Sequence, residues 1–384
     1  QSEQKINYSW AAGTELSDVP NDHFSVKWYA TMCSDETTDY ELTLGGDDGY
    51  KLFIDNQLVM DDWTEGGFRS TTITRRLKAG KKYHIRIEYY QQGGGAAVRF
   101  AWKRKNESRN KFVDYLNKAD MVIACIGHDS DTEGEGSDRS FTLPDIDKET
   151  IAEILKCQKP VIGVVTGGGS IEMQAWEPQL KGLLWGFYPG QEGGTAIGEI
   201  LFGKINPSGK LPMTFEKRWE DNPAFNSYYD PDGDKHVTYT EGVFIGYRGY
   251  DKLKREVQYP FGYGLSYTSF KLSNLKVAAT TPNGTVEVTC SLSNTGKRDG
   301  AQVVQAYVGK AEESPVERPE KELRAFAKVF LKAGETKTVR LTLPKKSFMY
   351  YDVKSKQFTT DSGSYNIMLG FSSRDIKKEI KIQY

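Results

Sequence analysis

Asp129, Asp131, Glu133, Glu135 and Asp138 crowd into one stretch that also holds Gly134, Gly136 and Arg139. Carboxylates at this density have three readings. One glutamate can serve as a general acid, because flanking glycines let the backbone approach a substrate closely. Asp138 and Arg139 would then hold the loop through a charge-assisted pair. Oxygen-rich loops also bind calcium, but this one lacks the glycine at position six and the glutamate at twelve of the calcium-loop pattern. The third reading is a solvated acidic loop.

The other candidates are thinner. Thr166-Gly167-Gly168-Gly169-Ser170 has neither the dinucleotide fingerprint nor the lysine of a phosphate-binding loop, and it reads as a tight strand-to-helix turn. Asp47-Asp48-Gly49 and Asp61-Asp62-Trp63 set carboxylates beside a glycine and a tryptophan. Asp47 and Asp48 are the nearest approach to calcium ligands and Trp63 is a surface for a sugar to stack on; the plainer role is that of turn carboxylates fixing loops. His23, His84, His128 and His236 show no ligand spacing, and no GxSxG elbow anchors a serine nucleophile. No metal and no cofactor are expected.

Three patterns of apolar residues position these candidates. From His23 to Lys103 the period is two, as in Tyr40, Leu42, Leu44 and in Tyr83, Ile85, Ile87, Tyr89. Half-buried antiparallel strands follow, with Asp55-Asn56 as a hairpin tip and Gly93-Gly94-Gly95 as a turn. Residues 1–107 are thus expected to form an all-β sandwich. Over 108–218 continuous apolar strands (121–126, 161–165, 183–187) alternate with helices at 147–157 and 193–202. That order predicts a mostly parallel α/β sheet covered on both faces, with Cys125 a buried thiol and ligands beyond the carboxyl ends of the strands. Residues 219–269, rich in Tyr, Gly, Asp and Pro, are too aromatic for a flexible linker and read as a packed connecting arm. Period two returns over 270–384, in Val286, Val288, Cys290, Leu292 and in Val339, Leu341, Leu343, predicting a fibronectin type III or immunoglobulin-like sandwich. The fold class is therefore multidomain α and β.

At 384 residues the chain suits two or three domains, and 51 basic against 52 acidic side chains give no reason to expect nucleic acid or an anionic membrane as partner. No apolar run approaches the roughly 20 residues that span a bilayer, which predicts a soluble chain. Cys33, Cys125, Cys157 and Cys290 lack CxxC spacing, arguing against a zinc site or a dense disulfide framework. Gln1 to Lys5 show no signal peptide, as in a mature form or a fragment.

Several runs resemble glycoside hydrolase family three. Tyr188-Pro189-Gly190-Gln191-Glu192-Gly193-Gly194-Thr195, Leu201-Phe202-Gly203 and Asn206-Pro207-Ser208-Gly209-Lys210-Leu211-Pro212 resemble its α/β domain. Tyr239-Thr240-Glu241-Gly242, Gly246-Tyr247-Arg248 and Pro260-Phe261-Gly262-Tyr263-Gly264 resemble the arm that follows. Asn294-Thr295-Gly296, Glu322-Leu323, Phe326 and Gly334-Glu335 resemble its fibronectin-like module. His23 to Trp102, through Asp47-Asp48-Gly49-Tyr50 and Leu52-Phe53-Ile54-Asp55, is similar to the protective-antigen-type domain that some members insert into the α/β domain.

The resemblance implies a retaining, exo-acting β-glycosidase, a β-glucosidase first and a β-xylosidase second, whose partner is an oligosaccharide or β-glycoside. Retention needs two carboxyl groups about 5–5.5 Å apart. In the family the nucleophile is an aspartate on a (β/α)₈ barrel, and the acid/base is a glutamate on an α/β-domain loop. Glu135 in Glu135-Gly136-Ser137-Asp138-Arg139 matches that motif, with Glu133 the alternative; Asp138, Arg139 and Trp63 are expected to bind substrate or support the loop. The barrel and the first α/β strand are not in this sequence, and the first sandwich begins part-way in. The expectation is a fragment, or a chain whose barrel comes from another polypeptide, inactive alone and secreted or periplasmic, with homo-oligomer formation open. The competing class is a carbohydrate-binding or adhesion protein without catalysis. The family-like run from Pro189 to Pro212 argues against it.

Overall fold

The computed structural model describes residues 6–10, 20, 22–105, 107–136, 138–230 and 233–384. The chain divides into two compact units, Gln1–Ala119 and Asp120–Tyr384.

In the first unit the alternating segments become eight strands: β1 (Asn7–Trp10), β2 (Phe24–Cys33), β3 (Thr38–Asp47), β4 (Gly49–Ile54), β5 (Gln57–Asp62), β6 (Arg69–Leu77), β7 (Lys82–Gln91) and β8 (Ala96–Arg104). They form two antiparallel sheets, ordered β1-β8-β3-β6 and β2-β7-β4-β5. Tyr40, Leu42 and Leu44 on β3 and Tyr83, Ile85, Ile87 and Tyr89 on β7 are buried together between them. Each such burial contributes about 1.5–3 kcal/mol, which is why period two so reliably fixes the inward face. Asp55 and Asn56 take φ of 50° and 65° at the β4–β5 tip, the left-handed pair that a tight hairpin requires. The Asp55 carboxylate accepts the His84 amide at 2.9 Å. Helix α1 (Glu107–Lys118) follows β8.

The second unit opens with strand β9 (Val122–Gly127), helix α2 (Asp145–Lys156), strands β10 (Val161–Thr166) and β11 (Gly182–Phe187), and helix α3 (Gly193–Leu201). The strands are parallel in the order β11-β10-β9. Helix α2 carries Asp145 and Asp147 in its first turn and Lys156 in its last, matching the helix dipole, and buries Ile151 and Ile154.

Two expectations fail here. The sheet is not covered on both faces among the described residues: Val122, Ala124 and Ile126 are buried, but Ile123 is 44 % exposed. Cys125 lies on the same open face and is exposed rather than buried. A continuous apolar run makes both faces of a strand apolar and does not say which of them is packed. Nor does Thr166–Ser170 turn into a helix; the chain runs irregularly to a single 3-10 turn at Glu177–Gln179. Consecutive glycines favour no helix, and the segment is fixed from outside by a bond from the Glu172 amide to the Phe141 carbonyl at 2.7 Å.

The arm contains a short antiparallel ribbon of β12 (Phe215–Glu216) and β13 (Val257–Tyr259), with helix α4 (Tyr247–Lys252) between them in sequence. Its aromatic residues pack as stacked pairs, Tyr247 on Phe261 at 4.9 Å and Tyr259 on Tyr263 at 5.0 Å. The final sandwich comprises β14 (Phe270–Val277), β15 (Val286–Asn294), β16 (Gly300–Lys310), β17 (Glu322–Leu331), β18 (Thr336–Leu343), the small ribbon β19 (Met349–Asp352) and β20 (Gln357–Thr360), then β21 (Ser364–Ser372) and β22 (Asp375–Gln383). Sheets β14-β15-β18 and β17-β16-β21-β22 enclose one core. Val286, Val288 and Cys290 lie opposite Leu343, Leu341 and Val339. Three strands against four is the fibronectin type III arrangement. Asp251 of α4 joins arm to sandwich, receiving Lys321 at 2.7 Å and Arg374 at 3.2 Å.

Candidate active site

Strands β9, β10 and β11 end at Gly127, Thr166 and Phe187, and the loops that follow converge at the carboxyl edge of the sheet. The acidic loop leaves β9 through Gly127, whose φ of +139° brings its α-carbon against β10; a β-carbon there would lie 2.0 Å from the Thr166 carbonyl oxygen. Its amide is held by the Asp147 carboxylate of α2 at 2.8 Å. Asp129 then folds the loop on itself, accepting the Asp131 amide and the Thr132 hydroxyl, each at 3.0 Å.

Glu133 lies where the three loops meet. Its carboxylate accepts Arg139 Nε at 3.1 Å, the Gly168 amide at 3.0 Å and the Tyr188 hydroxyl at 2.5 Å. The glycine run after β10 thus cradles a carboxylate of this chain. Burial pushes the Glu133 carboxyl up, but the Gly168 amide, the Tyr188 hydroxyl and the Arg139 guanidinium together hold it below the usual glutamate range. Burial, with Glu133 beside it, pushes the Tyr188 phenol up to about 12, so it is a hydrogen-bond donor at any working pH. Arg139 continues to the Ser170 carbonyl at 2.7 Å. The Ser170 hydroxyl donates to buried Glu216 at 2.6 Å, which also accepts Asn222 at 3.0 Å, carrying the network into the arm. His128 is buried; burial and the Arg139 charge push its imidazole down, keeping it neutral near pH 7.

Glu135 is exposed, two residues beyond the cradle, with no hydrogen bond or ion pair among the described residues. Asp138 does not pair with Arg139. Arg139 instead donates to Glu133, while Asp138 accepts the Tyr228 hydroxyl at 2.8 Å. A cavity of about 610 Å³ opens between this loop and the arm, lined by Glu133, Asp138, Arg139, Glu216, Tyr228 and Arg248 among others. Sequence patterns assigned no site role to Tyr188, Tyr228 or Glu216, and took Gly168 only as part of a strand-to-helix turn. Tyr188 carried a signal as the first residue after an apolar parallel strand.

In the first unit, Trp63 is 42 % exposed, with Tyr90 at 4.6 Å and Lys51 5.1 Å above its ring. Asp48 is buried and clamps two loops, accepting the Gly66 and Gln92 amides at 2.7 Å each. Burial and the neighbouring Asp48 charge push the Asp47 carboxyl up. Asp61 and Asp62 pair with Lys51 and Arg69. These carboxylates fix loops, and no group of three or more potential metal ligands occurs among the described residues.

The fold and the site together define a modular chain: a β-sandwich, an open parallel α/β layer with a carboxylate loop at its ligand edge, and a fibronectin-like sandwich. The profile of the glycosyl hydrolase family 3 C-terminal domain matches residues 54–267, and that of the fibronectin type III-like domain matches residues 302–373. The chain belongs to glycosyl hydrolase family 3. A putative beta-glucosidase of Schizosaccharomyces pombe is 35% identical over 382 residues, covering 92% of this chain and 45% of its own length. An exo-alpha-(1->6)-L-arabinopyranosidase of Bifidobacterium longum is 38% identical over 273 residues, 70% of this chain and 35% of its own. The crystal structure of a beta-glucosidase from Kluyveromyces marxianus in complex with glucose superposes with a TM-score of 0.80 at 30% identity, covering 96% of this chain and 46% of that one. The chain therefore spans less than half the length of these relatives.

Proposed function

We propose that this chain is the acid/base-bearing part of a retaining, exo-acting β-glycosidase, a β-glucosidase in the first instance, whose nucleophilic aspartate lies on a barrel domain outside these 384 residues. Glu135 is the acid/base. The observation that carries this choice is the contrast between two neighbouring carboxylates. Glu133 is tied to three donors and held ionised, which makes it a poor proton donor. Glu135 is exposed between Gly134 and Gly136 on the same loop, with no partner among the described residues. Glu135 protonates the glycosidic oxygen as the nucleophile attacks the anomeric carbon, and later takes a proton from the water that releases the sugar. The first unit serves as a protective-antigen-type sandwich, a reading supported by its two four-stranded antiparallel sheets and by Asp47-Asp48-Gly49-Tyr50.

The test is hydrolysis of aryl and alkyl β-glucosides and β-xylosides by this chain alone and mixed with a separately expressed family barrel. Activity is expected only in the mixture. Glu135→Gln is expected to cost about 10²–10⁴-fold on alkyl substrates, whose leaving group needs protonation, and much less on activated aryl ones. A Glu133→Gln variant that shows this leaving-group dependence while Glu135→Gln does not would exchange the two assignments.

A further inference from the structure

We infer that Tyr188 and Tyr228 are positioning residues that fasten the acid/base loop on either side of Glu135, Tyr188 through Glu133 and Tyr228 through Asp138. The inference rests on the reading of Glu135 given above, and it adds residues outside the loop to the machinery.

The two phenols come from different elements. Tyr188 follows β11 and donates to Glu133 Oε2 at 2.5 Å, so it ties the loop to the edge of the sheet. Tyr228 belongs to the arm and donates to Asp138 Oδ1 at 2.8 Å, tying the loop's other shoulder to a segment 90 residues away in sequence. Between the two tethered carboxylates the sequence runs Gly134, Glu135, Gly136 and Ser137, with Gly136 at φ +75°. Glycines on both sides of Glu135 leave that stretch with more backbone freedom than any other residue type would. A proton donor must be held within a fraction of an ångström of its target, and a misplacement of 1 Å can cost about 10²-fold in rate. Fastening both shoulders restricts the tip without occupying the Glu135 carboxyl itself. This division of labour explains why carboxylates surround a carboxylate: the flanking ones are handles. Glu133 also faces Arg139 of its own loop, His128 at the end of β9 and the Gly168 amide after β10. The Tyr188 bond therefore closes a ring of donors around it, whereas Asp138 is held from the arm through the Tyr228 hydroxyl.

Both phenols are about half exposed, Tyr188 at 53% and Tyr228 at 50%, so replacing each by phenylalanine removes the hydroxyl with little disturbance of packing. Hydrogen exchange of this chain, followed by mass spectrometry, reads the clamp without requiring activity. Tyr188→Phe and Tyr228→Phe are each expected to raise exchange of segment 128–141 by roughly three- to tenfold, and the double variant more, with β15 and β16 unchanged. Unchanged exchange of 128–141 in the double variant, or a change that spreads equally to β15 and β16, would overturn the inference. The catalytic readout uses the active mixture described above. Tyr188→Phe is expected to lower kcat on alkyl β-glucosides about tenfold at unchanged KM, with a smaller loss on aryl substrates. A raised KM at unchanged kcat would mean that the phenol touches sugar directly, and would overturn the positioning role. A wild-type mixture that associates but stays silent would instead sink the Glu135 reading, leaving the exchange data to decide whether the clamp exists.

Discussion

Replacing Gly127 by alanine is the severest single-methyl change this fold predicts near the site. Gly127 has φ +139°, a region almost closed to residues with a side chain, and its added β-carbon would sit 2.0 Å from Thr166 O and 2.7 Å from Thr166 N. Both are backbone atoms of the neighbouring strand, so no side chain can swing aside. Forcing the backbone angle costs about 1–3 kcal/mol, and relieving the overlap costs a similar amount again. Together they amount to roughly 2–6 kcal/mol. For a unit of this size that lowers the melting temperature by roughly 4–24 °C. Relief requires β9 to part from β10 at their carboxyl ends, which breaks the bond from the His128 amide to Thr166 O at 2.9 Å and displaces the loop at its root. Calorimetry of Gly127→Ala beside Gly198→Ala provides the measurement. Gly198 lies within α3, and no neighbouring atom comes within 4 Å of where an added methyl would sit, so alanine there should stabilise by about 0.5–1 kcal/mol. A Gly127→Ala variant within about 0.5 kcal/mol of the wild type would refute the close-approach argument.

Three further outcomes are expected. Asp251→Ala leaves Lys321, 6% exposed, without its nearest carboxylate and should destabilise the protein by about 3–5 kcal/mol, measured by urea unfolding. The Glu133 carboxyl lies below its ordinary value of 4.5, so its stabilisation is complete above that pH and is lost as pH falls through the lower folded-state value. Glu133→Gln should be less stable than the wild type by about 1–2 kcal/mol at pH 7, with the gap closing at low pH; a gap that does not change with pH would contradict the ionised cradle. Cys125 should react rapidly with a maleimide in the native chain, while Cys290, buried and with its thiol pushed up to about 11 by that burial, should resist until unfolding. Peptide mass mapping separates the two sites.

The two β-sandwiches were legible because period two is a packing rule: Tyr40, Leu42 and Leu44, or Val286, Val288 and Cys290, can bury one face in only one register. The α/β strands were equally visible, but their exposure was not. Ile123 and Cys125 are as apolar as Ala124 and Ile126, and hydrophobicity does not record whether a partner covers a face. At the site, the acidic loop was found by composition, whereas its wiring was missed. Arg139 pairs with Glu133 rather than with the adjacent Asp138, in a cluster completed by Gly168 and Tyr188, which lie 35 and 55 residues from Glu133 in sequence. Such contacts join chain segments that no local pattern relates.

Strand β1 pairs antiparallel with β8, Asn7 opposite Arg99 and Tyr8 opposite Val98. The first and last described strands of this unit therefore lie side by side in one sheet. In evolutionary terms that pairing suits a cassette. A domain whose two chain ends emerge side by side can be spliced into a surface loop of another fold, or excised from it, while the host strands keep their places. Selection can then acquire, exchange or discard the sandwich as a single event, leaving the carboxylate loop and its tyrosine tethers to change on their own schedule.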